Sequence, residues 1–150
     1  MVSGYLTLWG ARVVAYVRFQ ASELPRAVGV DIPGGRRRSD GRAGHLCHGP
    51  YLTLAPGRYA AGFYIRREPD SDEGEIEIEA TSDHGRRSLG RRSVAVSSLF
   101  FSVPGLQHFD FTLDAVERSC ELRLLTPPRC AIELSEVVLF RTDLAERNRS

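Results

Sequence analysis

Apolar residues recur at every second position along most of this chain, and no segment carries a helical stripe. Arg58–Arg67 places Tyr59, Ala61, Phe63 and Ile65 on one face and Tyr64 and Arg66 on the other. Gln107–Leu113 repeats the pattern, with Phe109, Phe111 and Leu113 one way and His108, Asp110 and Thr112 the other. That period belongs to pleated backbone, whose successive side chains point to opposite faces. Further strands are predicted over Val13–Phe19, Arg92–Ser102, Ser119–Leu125 and Ala131–Arg141, and Leu6, Leu8 and Trp9 add a short first one. Parity shifts near Ser135 and Glu136, which predicts a bulge in the last strand. About eight strands, each near a Gly- or Pro-containing turn, read as an all-β antiparallel sandwich of jelly-roll type. The sandwich is expected over residues 1–141, with 142–150 a polar C-terminal tail.

Two pairings follow from the pattern. Across the acidic loop Glu68–Gly74, Ile65 is expected to face Ile76 and Phe63 to face Ile78, which sets Arg66 against Glu75 and Tyr64 against Glu77. A closing hairpin is expected around Pro127 and Pro128. It would set Cys130 near Leu125 and Cys120 near Ser135, too far apart for a disulfide. Reduced thiols and a cytoplasmic setting are therefore expected, and the opening residues lack the pattern of a secretory signal. Ala21–Pro50 reads as a long irregular loop.

Charge excludes some functions. The chain has 150 residues, and its 20 basic residues, all arginine, nearly balance 19 acidic ones for a net charge of +1. A domain built on duplex nucleic acid has a one-sided basic excess. No apolar run reaches the ~18 residues of a membrane span. Nor is there a nucleophile elbow in a strand–turn–helix setting, so no catalytic residue is assigned and no enzyme is expected. Cys47 and His48 are neighbours and would point apart on a strand. Glu75, Glu77 and Glu79 line one face and read as partners for Arg58 and Arg66. The repeated Gly-Arg-Arg motifs at Gly35–Ser39, Gly85–Ser88 and Gly90–Ser93 read as solvated turns, with anion binding as the alternative. His45, Cys47 and His48 offer zinc ligand types but lack the second half of a closed site, and His84, His108 or Cys120 would have to complete it. The same imidazoles suit sugar hydroxyls, because each can donate and accept. Asp70–Gly74 lacks the spacing of an EF-hand loop.

The stretch His48–Tyr59, a strand running into Ala55-Pro56-Gly57 and back through an alternating strand, resembles the central hairpin of carbohydrate-binding jelly-roll modules. These are the galactose-binding-domain-like sandwiches found beside glycoside hydrolases and in bacterial glycan-assembly proteins. The likeness extends to Val17–Glu23 and to Cys120–Leu124 with Ile132–Leu139. It implies a non-catalytic carbohydrate-binding domain, an accessory module of a bacterial glycan-handling protein, with an oligosaccharide or polysaccharide as partner. Related modules hold a structural Ca2+ on acids of their first and last strands. Here Gln20 stands at one such position and leaves Glu23 and Glu136, so no cofactor is expected and Ca2+ stays an open alternative. The other readings are a structural or protein-interaction sandwich, or an arginine-turn binder of anionic glycan or phosphate.

Sugar binding needs an aromatic platform for the C–H face of a pyranose and planar polar groups for its hydroxyls. Trp9, Tyr16, Tyr51 and Tyr64 are the aromatic candidates, and Tyr64 stands out because it lies on the polar face of its strand. The predicted site is Tyr64, Arg66, His108, Asp110, Arg18, His48 and Trp9.

Overall fold

A computed structural model describes residues 2–8 and 11–143, with side chains from residue 15 onward. Its strands, in chain order, are β1 (Val2–Leu8), β2 (Ala11–Gln20), β3 (Val30–Ile32), β4 (Arg36–Arg38), β5 (Gly44–Cys47), β6 (Pro50–Leu54), β7 (Gly57–Arg67), β8 (Glu75–Ser82), β9 (Arg87–Ala95), β10 (Gly105–Leu113), β11 (Glu117–Thr126) and β12 (Ile132–Arg141). These strands exceed the expected eight because the first part of the chain holds short ones. They form two antiparallel sheets, one of seven strands and one of five. In the larger sheet β12 pairs with β7 on one side and with β2 and then β4 on the other, while β10 closes the far edge against β7. In the smaller sheet β11 lies between β8 and the short pair β5 and β6, and β9 forms the edge beside β8.

The core fills the space between the sheets. Tyr59, Phe63, Ile65, Leu134 and Leu139 come from the larger sheet, and Ile76, Ile78, Leu122 and Leu124 from the smaller. Tyr59 stacks on Phe111 at 5.4 Å, an added gain over simple burial. The inward set predicted for β7 and the inward set predicted for β10 are both buried. The bulge is present as well: the β12–β7 register skips between Leu134 and Glu136.

Both predicted hairpins are corrected. β7 and β8 lie in different sheets, as do β11 and β12, so residues 68–74 and 127–131 carry the chain across the sandwich. Ile65 pairs with Leu134 and Gly105, and Ile78 with Leu124 and Arg92. The pattern fixes which face of a strand is apolar, and any antiparallel neighbour with the same alternation satisfies it. Glu77 pairs with Arg91 at 2.8 Å, and Glu79 lies 3.7 Å from Arg123, in place of the expected Arg58 and Arg66. The cysteines also gain a different explanation. Cys47, Cys120 and Cys130 are free and buried, Cys120 within β11 and Cys130 on the crossover that follows it.

Ala21–Pro50 is ordered, contrary to the loop expected there. It contains a 3-10 turn over Ala21–Glu23 and the strands β3, β4 and β5. Arg37 locks it in place. Only 1% exposed, Arg37 pairs with Asp31 at 2.7 Å and donates to the carbonyls of Leu24 and Leu46 at 2.7 and 3.0 Å. Arg37 of the first Gly-Arg-Arg motif is therefore a buried polar anchor, Gly35 and Gly85 stand on turns, and Gly90–Ser93 is strand. The predicted strand Arg92–Ser102 ends at Ala95, where Val96 starts a second 3-10 turn. Residues 144–150, most of the predicted tail, lie outside the described residues, whereas Thr142 donates its backbone N–H to Arg58 at 2.9 Å.

Candidate functional site

The outward face of the larger sheet brings five of the predicted residues together. Registers across β10, β7, β12 and β2 place Asp110, Ala60, Phe140 and Tyr16 in one row, then His108, Gly62, Val138 and Arg18 in the next. A third row runs Leu106, Tyr64, Glu136 and Gln20. Small residues at the centre set the shape: a Cβ on Gly62 would meet Leu106 and Val138 at 2.7 and 2.9 Å. Those two side chains lean over β7 and leave Ala60 and Gly62 as a buried floor.

Two aromatic side chains sit on this face that the sequence reading did not place at the site. Phe140 and Tyr16 are direct cross-strand partners and stay 42% and 44% exposed. Tyr16 was weighed as a platform. Phe140 points outward because Val137 and Leu139 turn inward beyond the bulge. Around them lie Arg18, with Glu136 at 3.9 Å, and the exposed His108 and Asp110. Arg92 caps the His108 carbonyl at 3.0 Å, which covers part of the open edge of β10.

Tyr64 and Arg66 are on the face but differ from expectation. Tyr64 is only half-buried between Leu106 and Glu136. The Arg66 guanidinium is already engaged by the buried Glu133 and by Glu68 at 3.2 Å, and hydrogen bonding to Glu133 holds its pKa above the usual value. It organises the site more than it offers free donors. Its Nη1 also reaches the Phe101 carbonyl, at 3.3 Å, and Arg67 stacks on the Phe101 ring at 5.3 Å. Phe100 and Phe101, 63% and 52% exposed, thus stand on a loop tied to the sheet by two arginines. The alternation pattern carries no signal for them because the loop interrupts it.

The other two predicted residues fall elsewhere. His48 lies beyond β5 on the side of the smaller sheet, with its ring 6.4 Å from His45, and Trp9 lies outside the described residues.

Neither metal alternative fits the residues present. Cys47 points into the core, 3.8 Å from the Leu122 carbonyl, and burial pushes its thiol up to about 12. At the proposed calcium corner, Gln20 faces Glu136 across the register, and Glu23 accepts from the Gln20 backbone N–H at 3.1 Å. With Glu136 near Arg18, these acids do not make the six or more oxygens a hard cation takes. Among the described residues, no three His, Cys, Asp or Glu side chains are grouped to hold a metal.

Neither a protein-family model nor a curated protein matches the sequence. Solved structures do match in shape. The C-terminal CBM6 of LamC, a marine laminarinase from Zobellia galactanivorans, superposes with a TM-score of 0.58 at 10% identity, covering 84% of this chain and 99% of that one. CsCBM6-3 from Clostridium stercorarium, solved with cellobiose, gives 0.57 at 12% identity, over 85% and 95%. The xylan-binding module CBM15 gives 0.56 at 9% identity, over 94% and 97%. The chain has the jelly-roll β-sandwich fold of these carbohydrate-binding modules.

Proposed function

We propose that the chain is a non-catalytic carbohydrate-binding domain, an accessory module of a bacterial glycan-handling protein. The observation that carries this reading is the pair of exposed rings, Phe140 and Tyr16, set side by side on a sheet face and flanked by Arg18, His108 and Asp110. A pyranose stacks its C–H face on such rings, and the flanking groups supply donors and acceptors for its hydroxyls. The fold, shared with modules solved with cellobiose and cellotriose, supports the same reading.

The absence of catalysis in this proposal rests on what the reactive groups are doing. The Cys47 thiol is buried and held protonated, and Glu77 and Glu79 are tied to arginines rather than facing each other across a cleft. Three buried free thiols support the reducing, cytoplasmic setting. Among the described residues, no helix is long and apolar enough to cross a membrane.

A glycan array at two salt concentrations tests the proposal. A hit on neutral β-glucan or xylan oligosaccharides that keeps its strength in high salt is expected. Binding confined to charged glycans and lost with salt would move the site to the arginines, because counterion release scales with the charges engaged. Silence across neutral glycans overturns the proposal.

A further inference from the structure

The end of the sandwich where β7 stops and β8 starts carries an apolar surface that the saccharide reading does not use. Phe100, Phe101 and Val103 stand there 63%, 52% and 55% exposed. A lone exposed apolar side chain is ordinary on a protein surface, whereas a cluster marks an interaction site. The loop that bears them is held in one shape. The Phe100 carbonyl accepts the Arg67 backbone N–H at 2.9 Å. The Arg67 guanidinium donates to the Leu99 carbonyl at 3.0 Å and lies 5.3 Å from the Phe101 ring. Leu99 is buried, and the Phe100 ring covers Gly105, where a Cβ would come within 2.9 Å of it. Rings fixed in this way are ordered before any partner arrives, which lowers the cost of association.

The acidic loop 68–74 runs beside the rings. Arg67 Nη1 donates to the Pro69 carbonyl at 2.9 Å, and Val96 donates its backbone N–H to Gly74 at 3.0 Å, so the loop is fastened at both ends. Ser71 Oγ accepts the Ala131 backbone N–H at 3.1 Å, which ties the loop to the crossover 127–131. Between the two open cavities of about 160 and 240 Å³. Asp70, Asp72 and Glu73 line the first, with Arg129 as the cation on its wall. Elsewhere carboxylates are matched: Asp31, Glu77, Glu117 and Glu133 each hold an arginine. Among the described residues, Asp70, Asp72 and Glu73 are exposed and form no ion pair.

We propose that this end docks a segment of a partner protein that carries an apolar side chain next to a basic one. The apolar side chain packs on Phe100 and Phe101, and the arginine or lysine enters the cavity among the three carboxylates. Buried rings supply affinity in such a contact, and unmatched charge supplies steering and choice of partner. The charge also decides between occupants. An anionic lipid surface would be repelled by the carboxylates, and a second copy in a two-fold contact would bring the same acidic rim against itself. An uncharged sugar gains nothing from the unmatched charge.

The test pans phage-displayed random dodecapeptides on the whole chain. Enriched sequences are expected to join an aromatic or branched apolar residue to arginine or lysine. A synthetic copy of the leading peptide is then titrated by fluorescence anisotropy. Phe100→Ser and Phe101→Ser should each weaken its binding at least tenfold. The triple change Asp70→Asn, Asp72→Asn and Glu73→Gln should weaken it at least threefold and flatten its salt dependence. That variant alters only exposed side chains, so it keeps the test valid if a phenylalanine change lowers the unfolding midpoint. Excess cellotriose should leave the peptide bound. Failure to enrich any sequence, or enrichment of acidic ones, overturns the proposal. Displacement by cellotriose overturns it too, by returning the rings to the saccharide face. Sedimentation with phosphatidylserine vesicles, or self-association, that Phe101→Ser abolishes would name another occupant and overturn it equally.

Discussion

Single residues set the tolerance of this fold. Arg37 was written into a motif that reads as a solvated turn, yet it is a buried cation holding three parts of the chain through Asp31, Leu24 and Leu46. Arg37→Met fills the volume but orphans two buried carbonyls and the Asp31 partner. It should cost about 3 kcal/mol in urea unfolding, the usual penalty for a broken buried network. His45 makes stability depend on pH. Burial, followed by the nearby Arg123 and His48 charges, holds its pKa below the usual 6.5, while Glu121 and Glu79 oppose the shift. The unfolded chain then binds the proton more readily, so this contribution is intact above pH 6.5 and is lost as pH falls through and below it. The urea midpoint should drop between pH 7.5 and pH 5.5 by less in His45→Phe than in the wild type. An equal drop in both would remove His45 from the account.

The strands show what alternation can and cannot specify. The inward faces of β7 and β10, their outward polar residues and the bulge in β12 were all legible, because each depends only on local parity. Partner choice was not. Residues 68–74 and 127–131 look like hairpin loops, and the charges of Arg66 and Glu75 suit each other, but Arg66 finds Glu133 instead. A crossover and a hairpin share the same local signals, and long-range packing decides between them. Burial of β7 on both faces likewise follows from its central place in the sheet, which turns Ala60 and Gly62 into a floor. Gly62→Val should force Leu106 and Val138 off that floor and cost about 1–3 kcal/mol in thermal or urea unfolding. A change below a few tenths would mean that the neighbours move freely and the face has no fixed shape.

Across the whole molecule, two sheets press their apolar sides together and turn two very different faces outward. The larger sheet shows rings set among Arg18, His108 and Asp110, and the smaller shows a lattice of paired arginines and carboxylates beside Tyr51. The candidate site was partly legible: Arg18, His108 and Asp110 could be placed on the polar side of their strands from parity alone. Phe140 follows from the same parity once the bulge before Val137 is counted, but Phe100 and Phe101 do not, because their loop has no period. The most direct measurement of the central claim is a calorimetric titration of wild type and Phe140→Ala with the best neutral oligosaccharide from the array. It is made in low and in high salt, with unfolding midpoints recorded for both proteins. The account predicts salt-insensitive binding by the wild type, at least tenfold weaker binding at the larger-sheet site in Phe140→Ala, and a midpoint little changed by removal of a half-exposed ring. Equal affinity of the two proteins at that site, with the fold intact, would contradict it.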